Sequence, residues 1–284
     1  MVSDKETAVT FLQQHGILHN IRLCDNGHVM NLNLSGHHDR WRCKSRECRQ
    51  DIGLRNGTWL ENSRLDFTTA VYFIYWWSQE NTSIRFCERE LEMNHNTVVD
   101  WSNYLREVCA NDILTQPLIV GGPGLTVEID ECLISRRKNQ VGRILPQQWI
   151  FGGICRETSE CFMFAVPDRR AVTLLPIIQQ NILPGSTIIS DEWASYNGIA
   201  NLAMNYNHQT VNHTYNFVNP QNGAHTQSIE SNWNVFKSRN RKQWGTNRQM
   251  IDSYLCEYMW RRRLNGLDAF DKILLDIVEF WPLV

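Results

Sequence analysis

Two apolar, strand-like runs in this chain each carry an aspartate that packing alone does not call for. Residues 125–134 (LTVEIDECLI) hold Asp130 at their middle, and residues 186–190 run straight into Asp191 (STIISD). A two-residue period puts Glu128 and Asp130 on one face of the first run and Val127, Ile129 and Glu131 on the other. A carboxylate set into an apolar strand is costly unless a cation offsets it. Two acids placed this way suggest a shared metal site, and they require strands that hold them side by side.

The neighbouring segments supply such a framework. Residues 149–155 and 161–166 read as a hairpin around the polar turn Arg156-Glu157-Thr158-Ser159-Glu160. An amphipathic helix is expected over 171–183, stopped by Pro184-Gly185, and another extended segment over 205–217. Helices follow over 226–237, with Ile229, Trp233 and Phe236 on one stripe, over 248–264, and over 267–281. Three strands, then alternating helices and strands, describe a mixed sheet with helices on its faces. That order fits an RNase H-like α/β fold.

Glu230 is the third acid. It lies on the 226–237 helix beside the apolar stripe, where a glutamate can reach across to acids on strands. Phosphodiester cleavage and transfer build negative charge at phosphorus, and two hard divalent cations stabilise the attacking and leaving oxygens. Mg²⁺ prefers oxygen ligands, so two aspartates and a glutamate suit it. Each acid also has a plainer reading. Asp130 fits a turn or a partner for Arg136, Asp191 fits a cap, and Glu230 fits a solvated helix face. Their joint setting carries the argument.

Upstream, two blocks precede this one. Residues 1–66 are polar, with Cys24, Cys43 and Cys48 clustered among histidines, and residues 67–117 read as helical. Ser83 is the expected cap of a helix with Ile84, Cys87 and Leu91 on one face. Asn94 is the expected left-handed turn residue, and Asn96 the cap of a helix burying Val98, Trp101, Leu105 and Val108. Two short helices around a tight turn read as a helix-turn-helix or as a packing αα-hairpin. The cluster Pro117, Gly121, Gly122, Pro123, Gly124 marks the boundary with residues 118–284.

Composition narrows the class. A net charge of −2 is not that of a uniformly basic nucleic-acid binder, but cations cluster at 136–138, 237–242 and 261–263. These runs read equally as solvated faces. Nine cysteines, six scattered singly through apolar segments, do not form a secreted disulfide framework. No run approaches the roughly 18 apolar residues of a membrane span, and the polar first residues lack a signal-peptide core. An intracellular protein without a membrane partner is expected.

The motifs together resemble the Merlin superfamily of cut-and-paste transposases and their bacterial insertion-sequence relatives with an ISXO-like transposase domain. The matching stretches are Ile129-Asp130-Glu131 with Arg136 and Lys138, Trp149-Ile150-Phe151-Gly152-Gly153, Ser190-Asp191-Glu192-Trp193-Ala194-Ser195-Tyr196, Val211-Asn212-His213, and His225 through Trp233 ending at Lys237. The resemblance implies an RNase H-like core over 118–284 with a catalytic triad of Asp130, Asp191 and Glu230 holding two Mg²⁺ or Mn²⁺ ions. Asp130 would bridge the ions, and Asp191 and Glu230 would each complete one. His213 and His225 would support the site or touch DNA. Arg136, Lys138, Lys237 and Arg239 are candidate phosphate contacts.

The same resemblance implies a zinc-ribbon-like region over 1–66 ahead of the DNA-binding segment at 67–117. Cys24, Cys43 and Cys48 would bind one structural zinc with His28 as fourth ligand, though His19, His37 and His38 also qualify. A transposase of this kind implies terminal inverted repeats and target DNA as partners, a homo-oligomer in the synaptic complex, and a nuclear setting if the source is eukaryotic, where residues 237–242 (KSRNRK) are a localisation candidate. The alternatives are a domesticated relative that binds DNA without cutting it and a nuclease of the same fold acting on RNA.

Overall fold

In a computed structural model of the chain, the described residues are 2–35, 38–134, 147–212, 223–242 and 248–283. They divide into two compact units, residues 1–112 with 266–284, and residues 113–265.

The first unit opens with helix α1, Lys5–Gln14, which the sequence reading did not anticipate. Asp4 caps it by accepting from the Thr7 amide, and Ala8, Val9 and Leu12 are buried beneath it. Three short antiparallel strands follow, β1 Asn31–Asn33, β2 Arg40–Arg42 and β3 Asp51–Gly53. Helix α2, Phe67–Ser78, is capped by Asp66, and α3, Ile84–Glu90, by Ser83 as expected. The turn into α4, His95–Thr115, departs from expectation. Glu92 takes the left-handed conformation at φ 52°, leaving Asn94 free to accept from the Thr97 amide as the cap. Val98, Trp101, Leu105 and Val108 are buried, whereas His95, Asp100, Tyr104 and Glu107 are exposed. Helix α8, Ala269–Phe280, was read with the third block but packs in this unit against α2, with Phe270 stacked on Phe11.

The second unit is built on a five-stranded sheet. Its strands are β5 Thr126–Leu133, β6 Trp149–Cys155, β7 Cys161–Val166, β9 Thr187–Asp191 and β10 Asn207–Val211. The spatial order is β10-β9-β5-β6-β7. The first three strands in sequence form an antiparallel meander, and β9 and β10 add on parallel to β5. This mixed sheet, third-second-first-fourth-fifth, is RNase H-like. A two-stranded parallel pair, β4 Val120–Gly121 with β8 Ile182–Leu183, lies beside it. Gly121, at φ +84°, lies so close to Ser186 that a Cβ would come within 2.5 Å of its hydroxyl.

Helix α5, Ala171–Asn181, ends two residues before its expected stop, because Ile182 and Leu183 are drawn into β8. A 3-10 segment, Ala194–Asn201, packs on α5. Helix α6, Gln227–Lys242, packs on β5 and β6, and α7, Ile251–Arg263, on β7. Side chains on both faces of β5 and β6 are therefore buried, which explains their near-continuous apolar runs. All nine cysteines are free thiols. Among the described residues, no helix is long and apolar enough to cross a membrane.

Candidate functional site

Strand β5 and helix α6 meet along a ladder of side-chain contacts. Glu128 Oε2 accepts from the Ile229 amide at 2.9 Å, Trp233 Nε1 donates to Asp130 Oδ2 at 3.1 Å, and Lys237 donates to the Cys132 thiol. Steps of two along a strand advance about 6.6 Å, and steps of four along a helix about 6 Å. The two periods nearly coincide, so the register holds over three rungs. Glu230 follows Ile229 on the exposed shoulder of α6, where its Oε1 accepts from the Thr226 hydroxyl at 3.0 Å.

Asp191 arrives from the other side. Strands β5 and β9 are parallel, with Glu128 opposite Ile189. Two residues further along each strand come Asp130, in the middle of β5, and Asp191, at the carboxyl end of β9. The Trp193 amide donates to Asp191 Oδ1 at 2.9 Å and holds it in place.

The charge balance is unfavourable as it stands. Burial pushes the Asp130 carboxyl up to about 6, and the charges of Asp191 and Glu230 add to this, against the Glu131 amide and the Trp233 indole, which favour the ionised form. Among the described residues, no ion pair reaches Asp130. A desolvated carboxylate flanked by two further acids, all with hard oxygen donors, fits a divalent cation. Asp130, Asp191 and Glu230 are set wider than the 4.8 Å within which other ligand groups of this chain gather.

Several neighbours escaped the sequence reading. Gly152 lies opposite Asp130 on β6, and a Cβ there would come within 2.9 Å of the Trp233 ring and 2.7 Å of the Phe162 carbonyl. Its missing side chain is what lets the indole reach Asp130. Glu131, on the opposite face, is pushed up to about 7 by burial and by the Asp130 and Asp191 charges, against the Tyr196 phenol and Arg169. Arg169 itself is held between the Trp149 and Trp193 rings, 4.3 Å from each centroid.

Of the expected supporting residues, Arg136, Lys138 and His213 lie outside the described residues. His225 places Nδ1 3.4 Å from Glu128 Oε1, at the start of α6. Lys237 faces Cys132, and the Arg239 guanidinium stands 5.3 Å from the Tyr258 ring centroid, so both make contacts inside the unit.

In the first unit, Cys24, His28, Cys43 and Cys48 bring their ligand atoms within 4.8 Å of one another. His28 Nδ1 is 3.4 Å from Cys24 Sγ and 3.7 Å from Cys43 Sγ. Tetrahedral zinc with S and N bonds of about 2.3 and 2.0–2.1 Å separates such ligands by about 3.5 Å. The Cys24 turn closes through Gly27 at φ 77°, and the Gln50 side chain bonds Asp25 twice, tying the two ligand loops together. Burial opposes ionisation of Cys24, but amides of His28 and Asn26 and the neighbouring thiols outweigh it and bring the thiol down to about 7. Of the described histidines the sequence left open, His28 is the one at the cluster, and His37 lies outside the described residues. Asp112, Asp276 and Glu279 form another acidic group, which already holds Lys272.

Comparison with known proteins agrees with this geometry. An uncharacterized transposase-like protein of Haemophilus influenzae is 27% identical over 118 residues, 42% of this chain and 93% of its own length. The male abnormal protein mab-31 of Caenorhabditis elegans is 27% identical over 150 residues, and this chain spans only 35% of it. Among solved structures, the integrase catalytic core of HTLV-2 covers 49% of this chain and 84% of its own at 8% identity, with a TM-score of 0.30, too slight to bear on the reading. The profile of the ISXO2-like transposase domain matches residues 122–263, half of the chain, and takes in Asp130, Asp191, Glu230 and the whole β5–α6 ladder. The chain belongs to the ISXO2-like transposase family.

Proposed function

We propose that this protein is a DDE-type DNA transposase that cuts transposon ends and joins them to target DNA, with Asp130, Asp191 and Glu230 as its catalytic carboxylates. The observation that carries the reading is the placement of Asp130, half-buried on the central strand and raised first by its desolvation and then by the charges of both other acids. These three side chains would hold Mg²⁺ or Mn²⁺, as two ions. Bound there, the ions would supply Lewis-acid stabilisation of the attacking and leaving oxygens of the phosphodiester.

The chain's own residues do the positioning. Trp233 fixes the Asp130 carboxylate through Oδ2, the Trp193 amide fixes Asp191 through Oδ1, and Thr226 holds Glu230. The indole and the buried sheet beneath keep water from the inner side of Asp130. The Cys24–His28–Cys43–Cys48 cluster would hold one structural zinc and order the N-terminal unit.

DNA is the proposed substrate and partner, as terminal inverted repeats and target, within a homo-oligomeric synaptic complex. Arg136, Lys138, Lys237 and Arg239 remain the proposed phosphate contacts. The exposed side of α4 carries Asp100 and Glu107, and the exposed cations of the helix-turn-helix, Arg85 and Arg89, lie on α3. A nuclear setting in a eukaryotic host belongs to the same proposal.

The test uses purified protein and labelled duplex from the DNA flanking the coding sequence. Mg²⁺-dependent nicking at a defined end, lost in Asp130→Ala and Glu230→Ala, is the expected result. Cutting by either variant at the parent rate overturns the triad.

A further inference from the structure

We propose that Glu128 is a positioning residue, a cap supplied from strand β5 that fixes the first turn of α6 and through it Glu230. This rests on the reading of Glu230 as a metal-holding carboxylate.

Glu128 is fully buried, two residues before Asp130 on the same face of β5. Its Oε2 accepts from the Ile229 amide at 2.9 Å. Its Oε1 accepts from Arg156 Nε at 2.5 Å, and Arg156 Nη2 donates to the His225 carbonyl at 2.7 Å. Two independent paths therefore run from one carboxylate to the segment that begins α6.

A helix N-terminus presents unsatisfied amides and the positive end of the dipole, and an anion there is stabilising. Most caps come from the residue just before the helix. This one comes from 101 residues upstream in sequence, so it is also a crosslink between the strand of Asp130 and the helix of Glu230. Glu230 is the next residue after Ile229, in the first turn, where a helix frays most readily. The bond that Glu230 accepts from the Thr226 hydroxyl lies within that same turn and does not itself set the turn's distance from β5.

A role confined to stability is the competing account. Replacing a buried ion pair by apolar side chains of similar volume is often neutral, so that account expects an apolar pair to serve as well. The comparison is Glu128→Met with Arg156→Leu against the parent, with Glu230→Ala as control. Three readouts are taken: thermal melting, hydrogen exchange at residues 229–231, and the Mn²⁺ midpoint for end cutting alongside KM for DNA.

The double variant is expected to melt a few degrees below the parent, since loss of one cap costs about 1 kcal/mol, to keep its KM, to exchange at least tenfold faster at residues 229–231, and to need roughly 10–100-fold more Mn²⁺. Glu128→Gln keeps an acceptor for Ile229 but loses the charge facing Arg156, and shifts both exchange and midpoint in the same direction by a smaller factor. It decides the matter if the double variant does not fold. Parent-like exchange and Mn²⁺ dependence in whichever variant folds overturn the proposal. If Glu230→Ala cuts like the parent, the reading of Glu230 fails instead, and the exchange measurement still tests the cap.

Discussion

Asp130→Asn should stabilise the metal-free protein while abolishing cutting. In the folded chain the Asp130 carboxyl is raised from 3.8 to about 6, first by burial and then by the charges of Asp191 and Glu230. A carboxyl raised on folding holds its proton in the native state over a range where the unfolded chain has released it. Stability therefore falls as pH rises from about 4 to about 6 and stays lowered above that. Each tenfold change in proton affinity corresponds to about 1.4 kcal/mol, so the ionised group costs the fold about 3 kcal/mol at neutral pH.

Asparagine has nearly the same shape, carries no charge, and still accepts from the Trp233 indole. For a unit of about 150 residues, ~3 kcal/mol corresponds to a rise of about 6–12 °C in melting temperature. The assay is calorimetry in buffer stripped of divalent ions by resin rather than by chelator, so that the Cys24–His28–Cys43–Cys48 cluster keeps any zinc. The variant should melt above the parent at pH 7.5, and the gap should close towards pH 4. Added Mn²⁺ should raise the parent and leave the variant unmoved. A variant that melts at or below the parent at pH 7.5 refutes the desolvated-carboxylate argument. A gap that persists at pH 4 shows that packing, not charge, caused it.

Trp233→Phe removes the donor to Asp130 Oδ2, so the carboxyl should rise further and the pH midpoint for Mn²⁺ binding should move up, measured by titration calorimetry across pH 5–8. Gly152→Ala should lower stability by about 1–3 kcal/mol, read by denaturant melts, because its Cβ meets the Trp233 ring and an immobile carbonyl; cutting should fall with it. Cys43→Ser should lose the bound zinc, counted by elemental analysis against one ion per chain in the parent, and should lower the melting of the first unit without moving Mn²⁺ binding in the second.

The second unit was largely legible because its strands and helices carry unbroken apolar patterns. Thr126–Leu133, Trp149–Cys155, Cys161–Val166 and Thr187–Asp191 fall within a residue or so of the expected bounds. Misses came where local sequence competes with distant contacts. Helix α1 is polar enough to be lost in its block, with only Ala8, Val9 and Leu12 buried. Helix α5 stops early because β4, some 60 residues before, captures Ile182 and Leu183. At the Glu92 turn, the more permissive Asn94 was needed as a cap, and the strained conformation moved to its neighbour. The Trp233–Asp130 and Glu128–Ile229 bonds span 103 and 101 residues, and no local pattern announces them. For the Cys24–His28–Cys43–Cys48 cluster, the sequence offered His28 as fourth ligand with other histidines beside it, and the fold brings His28 to the three cysteines.

Glu128 and Asp130 show why the same residue chemistry can mean two different things on one strand. Glu128 is fully buried and Asp130 half-buried, both face α6, and both accept from that helix. Glu128 also receives the Arg156 guanidinium, so its charge is matched within the protein. Asp130 receives only neutral donors, the Trp233 indole and the Glu131 amide, and faces two further acids. A chain able to place a cation against one of these carboxylates has left the other without one, two residues away and beside Asp191 at the end of β9. A purely structural role for Asp130 gives no reason for that asymmetry, since an apolar residue there would relieve about 3 kcal/mol of desolvation and repulsion. A site that takes its positive charge from outside the chain does give a reason. In that case the matched pair at Glu128 holds the helix in register, and Asp130 is the carboxylate left for the ion.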